Sequence, residues 1–189
     1  MPLTLADPVE KLPKINKSYL PKLKKLDIKT VEDLLYHFPS RHIDFSLVSK
    51  INQAQAGEIL TIRGQIAKIT SEPKGRGKSI QRATIIDETG QINAIWFNQP
   101  YLVKSLSGKT ISLSGEVKQF NNHLILSSPD FEVSSPYRKN IHTGRLVPVY
   151  PSTAGLSSRW LRWQISNALK LTAGQIKEFL PPNLLLAQG

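Results

Sequence analysis

"SIQRATIIDETGQINAIWFNQPYLVKSLSGKTISLSGEV", residues 79–117, decides the fold. It opens with two alternating, strand-forming runs around Asp87–Gly90, a turn signal. The strand pattern stops at Phe97. The next stretch, "NQPYLVKSLS" (98–107), has no strand character, and a third strand run follows it from Lys109. Working outward, "EILTIRGQIAKIT" (58–70) alternates Ile59, Thr61 and Arg63 against Leu60, Ile62 and Gly64. That predicts a strand with a glycine where a bulge or bend sits. On the other side, "GKTISLSGEVKQFNNHLILSSPDFEV" (108–133) holds two strands joined at Asn121–Asn122, with a second interior glycine, Gly115.

Five strands of 7–13 residues, a short helical insert after the third and kinking glycines in the first and fourth make the pattern of an OB-type barrel. An antiparallel sandwich is the alternative, for which five strands are few. The fold class is therefore mainly β with flanking α. The chain divides into a helical N-terminal cap (1–45), the barrel (46–134) and an extended and helical C-terminal segment (135–189).

In the cap, "SYLPKLKKLDI" (18–28) spaces Leu20, Leu23 and Leu26 by threes between lysines. "KTVEDLLYHFPSR" (29–41) offers Thr30 as N-cap, Asp33 as its capping-box partner and Pro39 as the stop, with Leu34, Leu35 and Phe38 as the apolar face. In the C-terminal segment, "PYRKNIHTGRLVPVYPSTAG" (136–155) reads as extended. "LSSRWLRWQISNALKL" (156–171) reads as a helix capped by Ser157. Leu161, Ile165 and Ala168 share one of its faces, Leu156, Trp160, Trp163 and Leu171 another, and Arg159, Arg162, Ser166 and Lys170 fill the gap. "GQIKEFLPP" (174–182) adds another turn or two of helix.

The chain has 189 residues, 40% of them hydrophobic, enough for one large domain with a core of its own. Cysteine is absent, which excludes disulfides and thiolate metal sites. No apolar run approaches the ~20 residues of a membrane span, and "MPLTLADPVEKLPK" lacks signal-peptide order, so a cytoplasmic protein without membrane contact is expected. With 25 Lys+Arg against 14 Asp+Glu, the formal charge is +11 and the pI near 9.9. Such a field draws in polyanions, of which nucleic acid is the commonest in the cytosol. A basic surface kept for solubility is the plainer explanation.

Catalytic patterns are missing. "EPKGRGKS" (72–79) fails as a phosphate loop, because Glu72 stands where the motif needs glycine and a strand rather than a helix follows. It reads instead as the loop between the first two strands, one wall of the nucleic-acid groove in OB folds. Lys74, Arg76, Lys78 and Arg82 there suit backbone phosphates, or simply solvent. Lys104, in the insert, joins them as a phosphate candidate. His37, His42, His123 and His142 show no ligand spacing, and no serine sits in a nucleophile elbow. The chain reads as a binding module, with no metal or cofactor.

Aromatic residues then decide what it binds. Trp96 shares a strand face with Ile92 and Ala94 and reads as core rather than contact. Phe97 leaves the strand as the chain turns, and Tyr101 follows four residues later, on the same side of a helical turn. Together with Asn98 and Gln99 these rings make either a flat platform for bases or a packed corner.

"LDIKTVEDLLYHFPSRHID", "IIDETGQINAIWFNQPYL" and "VYPSTAGLSSRWLR", with the barrel between them, resemble the N-terminal part of the RecG family of bacterial branch-migration DNA helicases. The resemblance runs from about Leu20 to Pro182. It implies an OB-fold wedge that splits DNA at forks and Holliday junctions in recombination and repair, with Phe97 and Tyr101, and less strongly Trp96, stacking on bases where strands part. It implies branched DNA as ligand and a helicase motor as covalent partner, with ATP and Mg2+ belonging to that motor. Arg159 and Arg162 become candidates for contact with DNA or motor. The chain itself carries no ATPase motif, so it is expected to be a monomeric wedge portion without helicase activity of its own. It departs from the family at "PKINKSYLP" (13–21), which has no glycine, at Asp27, where glycine is usual, and at His42, where tyrosine is usual. A general single-strand DNA- or RNA-binding OB protein would bind unbranched strands equally well. A basic protein-interaction module would bind no DNA at low salt.

Overall fold

The computed structural model describes residues 3–135 and 140–175, which form two compact units. One is residues 41–148; the other joins residues 1–40 to residues 149–189. In chain order the helices and strands are α1 (Leu20–Lys24), α2 (Val31–Leu35), β1 (Arg41–Asp44), β2 (Val48–Ser49), β3 (Ile59–Pro73), β4 (Ser79–Asp87), β5 (Gly90–Phe97), α3 (Tyr101–Leu106), β6 (Thr110–Phe120), β7 (His123–Ser127), β8 (Asp130–Val133), β9 (Leu146–Val149) and α4 (Ser158–Thr172).

The fold is mainly β and of OB type, and its ring of pairings shows why. β3 pairs antiparallel with β4, β4 with β5, β5 parallel with β7, β7 antiparallel with β6, and β6 antiparallel with β3 again. β3 reaches both partners because it is long and bent. Its first half, Ile59–Gln65, lies on β6, and its second half, from Gln65 to Pro73, on β4, with a register shift at Ile66/Lys68. Gly64 sits just before the changeover. A Cβ there would come 2.6 Å from the carbonyl oxygen of Ile86, so only glycine lets the two strands approach. The ring encloses one apolar core in which Leu60, Ile62, Ile85, Ala94, Leu113, Val117 and Leu126 are buried.

Turn chemistry fixes the hairpins. Asn121 and Asn122 both take positive φ, as a two-residue hairpin turn of this hand requires. At Asp87 the carboxylate accepts from the N–H groups of Ile51 (2.9 Å), Thr89 (2.7 Å) and Gly90 (3.1 Å). Burial works against that charge, but these bonds and one from the Thr89 hydroxyl prevail and hold the carboxyl below its usual range. The expected fifth strand is two strands. Ser128, at φ +49°, breaks it before Pro129, so β7 pairs with β5 and the far half of β6 while β8 pairs with the near half.

In the other unit the helices are shorter than the periodicity predicts. The α2 cap is as expected, with Thr30 Oγ1 accepting from Asp33 N and the Asp33 carboxylate from Thr30 N. The helix ends at Leu35, however, and Phe38 is exposed rather than part of an apolar face. α4 begins at the Ser157 cap, and Leu161, Ile165 and Ala168 pack with Leu23, Val31 and Leu34. Its second apolar face is mixed: Trp160 stacks on Tyr19 at 4.6 Å, whereas Leu171 is exposed. The flanking segments thus share one core. The turns expected from residue 176 to 182 lie outside the described residues. Among those described, no helix is long and apolar enough to cross a membrane.

Candidate nucleic-acid interface

β5 delivers the aromatic stretch by simple alternation. Ile92, Ala94 and Trp96 point into the core, and Asn93, Ile95 and Phe97 point out. Trp96 is 1% exposed, donates from its indole Nε1 to the Pro129 carbonyl at 3.0 Å and meets Phe131 edge to face. Its place among the base-stacking candidates is therefore withdrawn. A base would have to displace both the core and that hydrogen bond.

Phe97 and Tyr101 are different. Phe97 is 50% exposed at the end of β5, and Tyr101 is 62% exposed at the first position of α3. The corner between them is held firmly. Asn98 takes φ +56°, donates its N–H to the Ser79 carbonyl (2.8 Å) and accepts from Ser79 N on its side-chain oxygen (3.0 Å). Gln99 N donates to Gln81 Oε1 (2.8 Å), and the Tyr101 hydroxyl donates to Gln99 Oε1 (2.8 Å). Gln81 is itself fully buried, and its amide donates to the hydroxyls of Ser71 (2.9 Å) and Ser79 (2.8 Å). One buried amide thus ties three segments to the base of the ring corner. Leucine at this position has nearly the same volume but no polar group, so Gln81→Leu is expected to cost about 1–3 kcal/mol. Denaturant unfolding at fixed pH measures it.

The basic loop adjoins this corner. Residues 74–78 close the β3–β4 hairpin with Lys74 N donating to the Lys78 carbonyl at 2.9 Å. This is a strand-to-strand loop with no helix after it, as the sequence argument against a phosphate loop requires. Pro73 pairs with Ser79, and the next residue, Ile80, pairs with Phe97, so the loop springs from the strand ends beside the rings. Gly75, Arg76 and Gly77 all take positive φ there. Glu72 engages two of the four cations, Lys74 at 3.2 Å and Arg82 Nε at 3.4 Å. Among the described residues no carboxylate lies within ion-pair distance of Arg76, Lys78 or Lys104, which are exposed. Lys104 stands one turn along α3 from Tyr101.

The two arginines of α4 belong to the other unit. Arg162 is only 6% exposed, so it is a packed residue there and is withdrawn as a surface contact. Arg159 is half-buried. Sequence reasoning missed Phe120, 59% exposed where β6 ends. The signal was present: counting outward from buried Val117, alternation puts Lys118 and Phe120 on the outer face. Among the described residues no group of three or more His, Asp or Glu side chains is arranged to hold a metal ion.

A family model described as the RecG wedge domain matches residues 14–172. The ATP-dependent DNA helicase RecG of Thermotoga maritima is 30% identical over 173 residues, covering 87% of this chain and 21% of that protein. RecG of Escherichia coli K12 is 28% identical over 182 residues, covering 95% of this chain and 26% of that one. A solved structure of RecG bound to a three-way DNA junction superposes with a TM-score of 0.75 at 27% identity, over 97% of this chain and 25% of that one. The chain therefore spans about a fifth to a quarter of the length of these relatives. The match over residues 14–172, most of the chain, makes it a member of the RecG wedge domain family.

Proposed function

We propose that this chain is the strand-separating wedge of a RecG-type DNA helicase, binding branched DNA at the point where paired strands part. The observation that carries the reading is the pair of half-exposed rings, Phe97 and Tyr101, on a corner fixed by hydrogen bonds beside a basic loop. Each base-pair step opened at a branch loses roughly 1.4 kcal/mol of stacking, and a ring stacked on a base returns about 1–3 kcal/mol. Two rings thus hold a branch open by about one pair, without reading sequence. Arg76, Lys78 and Lys104 supply phosphate contacts, and Lys74 and Arg82 add to them once the strand competes with Glu72. Binding free energy is released once per encounter, so repeated unwinding falls to an ATP- and Mg2+-dependent motor elsewhere in such a protein. In this reading the wedge works as a cytoplasmic monomer in DNA recombination and repair. The solved relative bound to a three-way junction supports the choice of ligand.

The test is a titration of labelled fork, duplex and single strand at one salt concentration. A fork preference of about tenfold or more, the worth of one good stack, is expected. Equal affinity for unbranched strands would point to a general single-strand binder, and no binding at low salt to a protein-interaction module.

A further inference from the structure

A second concentration of charge lies in the unit that joins residues 1–40 to 149–189. Residues 13–29 hold six lysines against one carboxylate, Asp27. Lys14, Lys17, Lys24, Lys25 and Lys29 are exposed, and among the described residues no carboxylate lies within ion-pair distance of any of them. Glu10 borders the same hollow as Lys24 and Lys29 without coming that close. The start of the segment is fixed along α4. Gln164 Nε2 donates to the Pro13 carbonyl (3.1 Å), and the Lys14 ammonium sits 4.9 Å from the centre of the Trp163 ring. Tyr19 stacks on Trp160, and Lys22 Nζ donates to the Gly155 carbonyl (3.2 Å). As the residue number rises from 13 to 22, that of the partner falls from 164 to 155, so the segment runs antiparallel to the helix and its N-terminal loop.

We propose that this lysine edge grips the phosphate backbone of a paired DNA arm. It extends the wedge reading and rests on it for the presence of such an arm. A surface kept only for solubility intersperses both signs of charge, whereas a run of one sign repels itself until a polyanion meets it. The rings of the site decide between duplex and single strand. Single strands are held by stacking bases on open aromatic faces. Here Trp163 is engaged by the Lys14 ammonium, and Tyr19 by Trp160 and the Lys22 ammonium, so these rings have partners of their own. What the edge offers outward is cations, and duplex presents their complement, one phosphate charge per roughly 1.7 Å with its bases turned inward. Seating the segment on α4 also spares part of the entropy that ordering a free loop on binding would cost.

Fluorescence anisotropy of a labelled blunt duplex, about two helical turns long, titrated with the full chain over a range of salt, tests this. Lys14→Gln/Lys17→Gln is expected to lower the slope of log K against log salt by roughly 1.8, two phosphate contacts at about 0.9 each. Lys50→Gln/Lys118→Gln removes the same charge from the other unit, at lysines paired with Glu88 and Glu116, and should leave the slope at the parent's value. All four side chains are exposed, so both variants are expected to melt like the parent chain. If the parent does not bind this duplex, or Lys14→Gln/Lys17→Gln lowers the slope no more than the control does, the lysine edge is not a DNA site. The wedge reading is then untouched, because it is scored on fork preference and its loss in Phe97→Ala/Tyr101→Ala. If instead that ring variant keeps its fork preference while Lys14→Gln/Lys17→Gln lowers the duplex slope, the wedge reading fails and the lysine edge stands as a duplex site.

Discussion

Replacing Phe97 and Tyr101 together by alanine is expected to weaken fork binding about thirtyfold, the floor set by losing two base-on-ring stacks at roughly 1 kcal/mol each. Duplex affinity should change little, because the proposed contacts to duplex are to phosphates. Thermal stability should fall by less than about 1 kcal/mol, since both rings are half-exposed and neither belongs to the barrel core. The asymmetry between the two readouts matters more than either alone. A core pair would lose stability and fork binding together. Trp96→Ala is the contrast within the same stretch, because it would open a large cavity and strand the Pro129 carbonyl.

Gly64→Ala is expected to cost about 2–3 kcal/mol of stability although it adds only one methyl, which for a chain of this size lowers the melting temperature by roughly 5–10 °C. The added methyl would sit 2.6 Å from the Ile86 carbonyl oxygen and 2.7 Å from an Ile85 methyl, and the first of these is backbone that cannot rotate away. Relief means separating β3 from β4 where β3 changes partners, which disturbs the ladder that carries Arg82 and Gln81. Gly115 is the control. A Cβ there meets Pro129 at 3.4 Å, close to ordinary contact, so Gly115→Ala should be much milder. Calorimetry of the two variants side by side checks the ordering.

Much of this molecule was legible in its sequence because much of it is governed locally. Period-two alternation in 79–97 and 108–126 placed the ring strands, the paired asparagines placed a hairpin, and Ser157 placed a helix start. The corner at residues 98–101 was visible because a proline and a change of period coincide there. What stayed hidden depends on distant partners. β1, β2 and β9 are two to four residues long and exist only because another segment lies beside them. The common core of Leu23, Val31 and Leu161 joins residues more than a hundred positions apart. In the sequence Gln81 is one more position of a strand run, and only its three partners on Ser71, Ser79 and Gln99 reveal it as the anchor of the ring corner. Arg162 shows the converse. A cation between the two apolar faces of a helix suits contact with DNA or a motor, and here packing buries it.

The most direct test places 2-aminopurine at the last base pair before the branch of a fork, with a second probe ten pairs into the duplex. On adding the chain, the branch probe should change its fluorescence as it leaves its neighbours and stacks on a ring, while the distant probe stays constant, and Phe97→Ala/Tyr101→Ala should abolish the change. An undisturbed branch probe at saturating protein, or a change that survives the double substitution, would contradict the account.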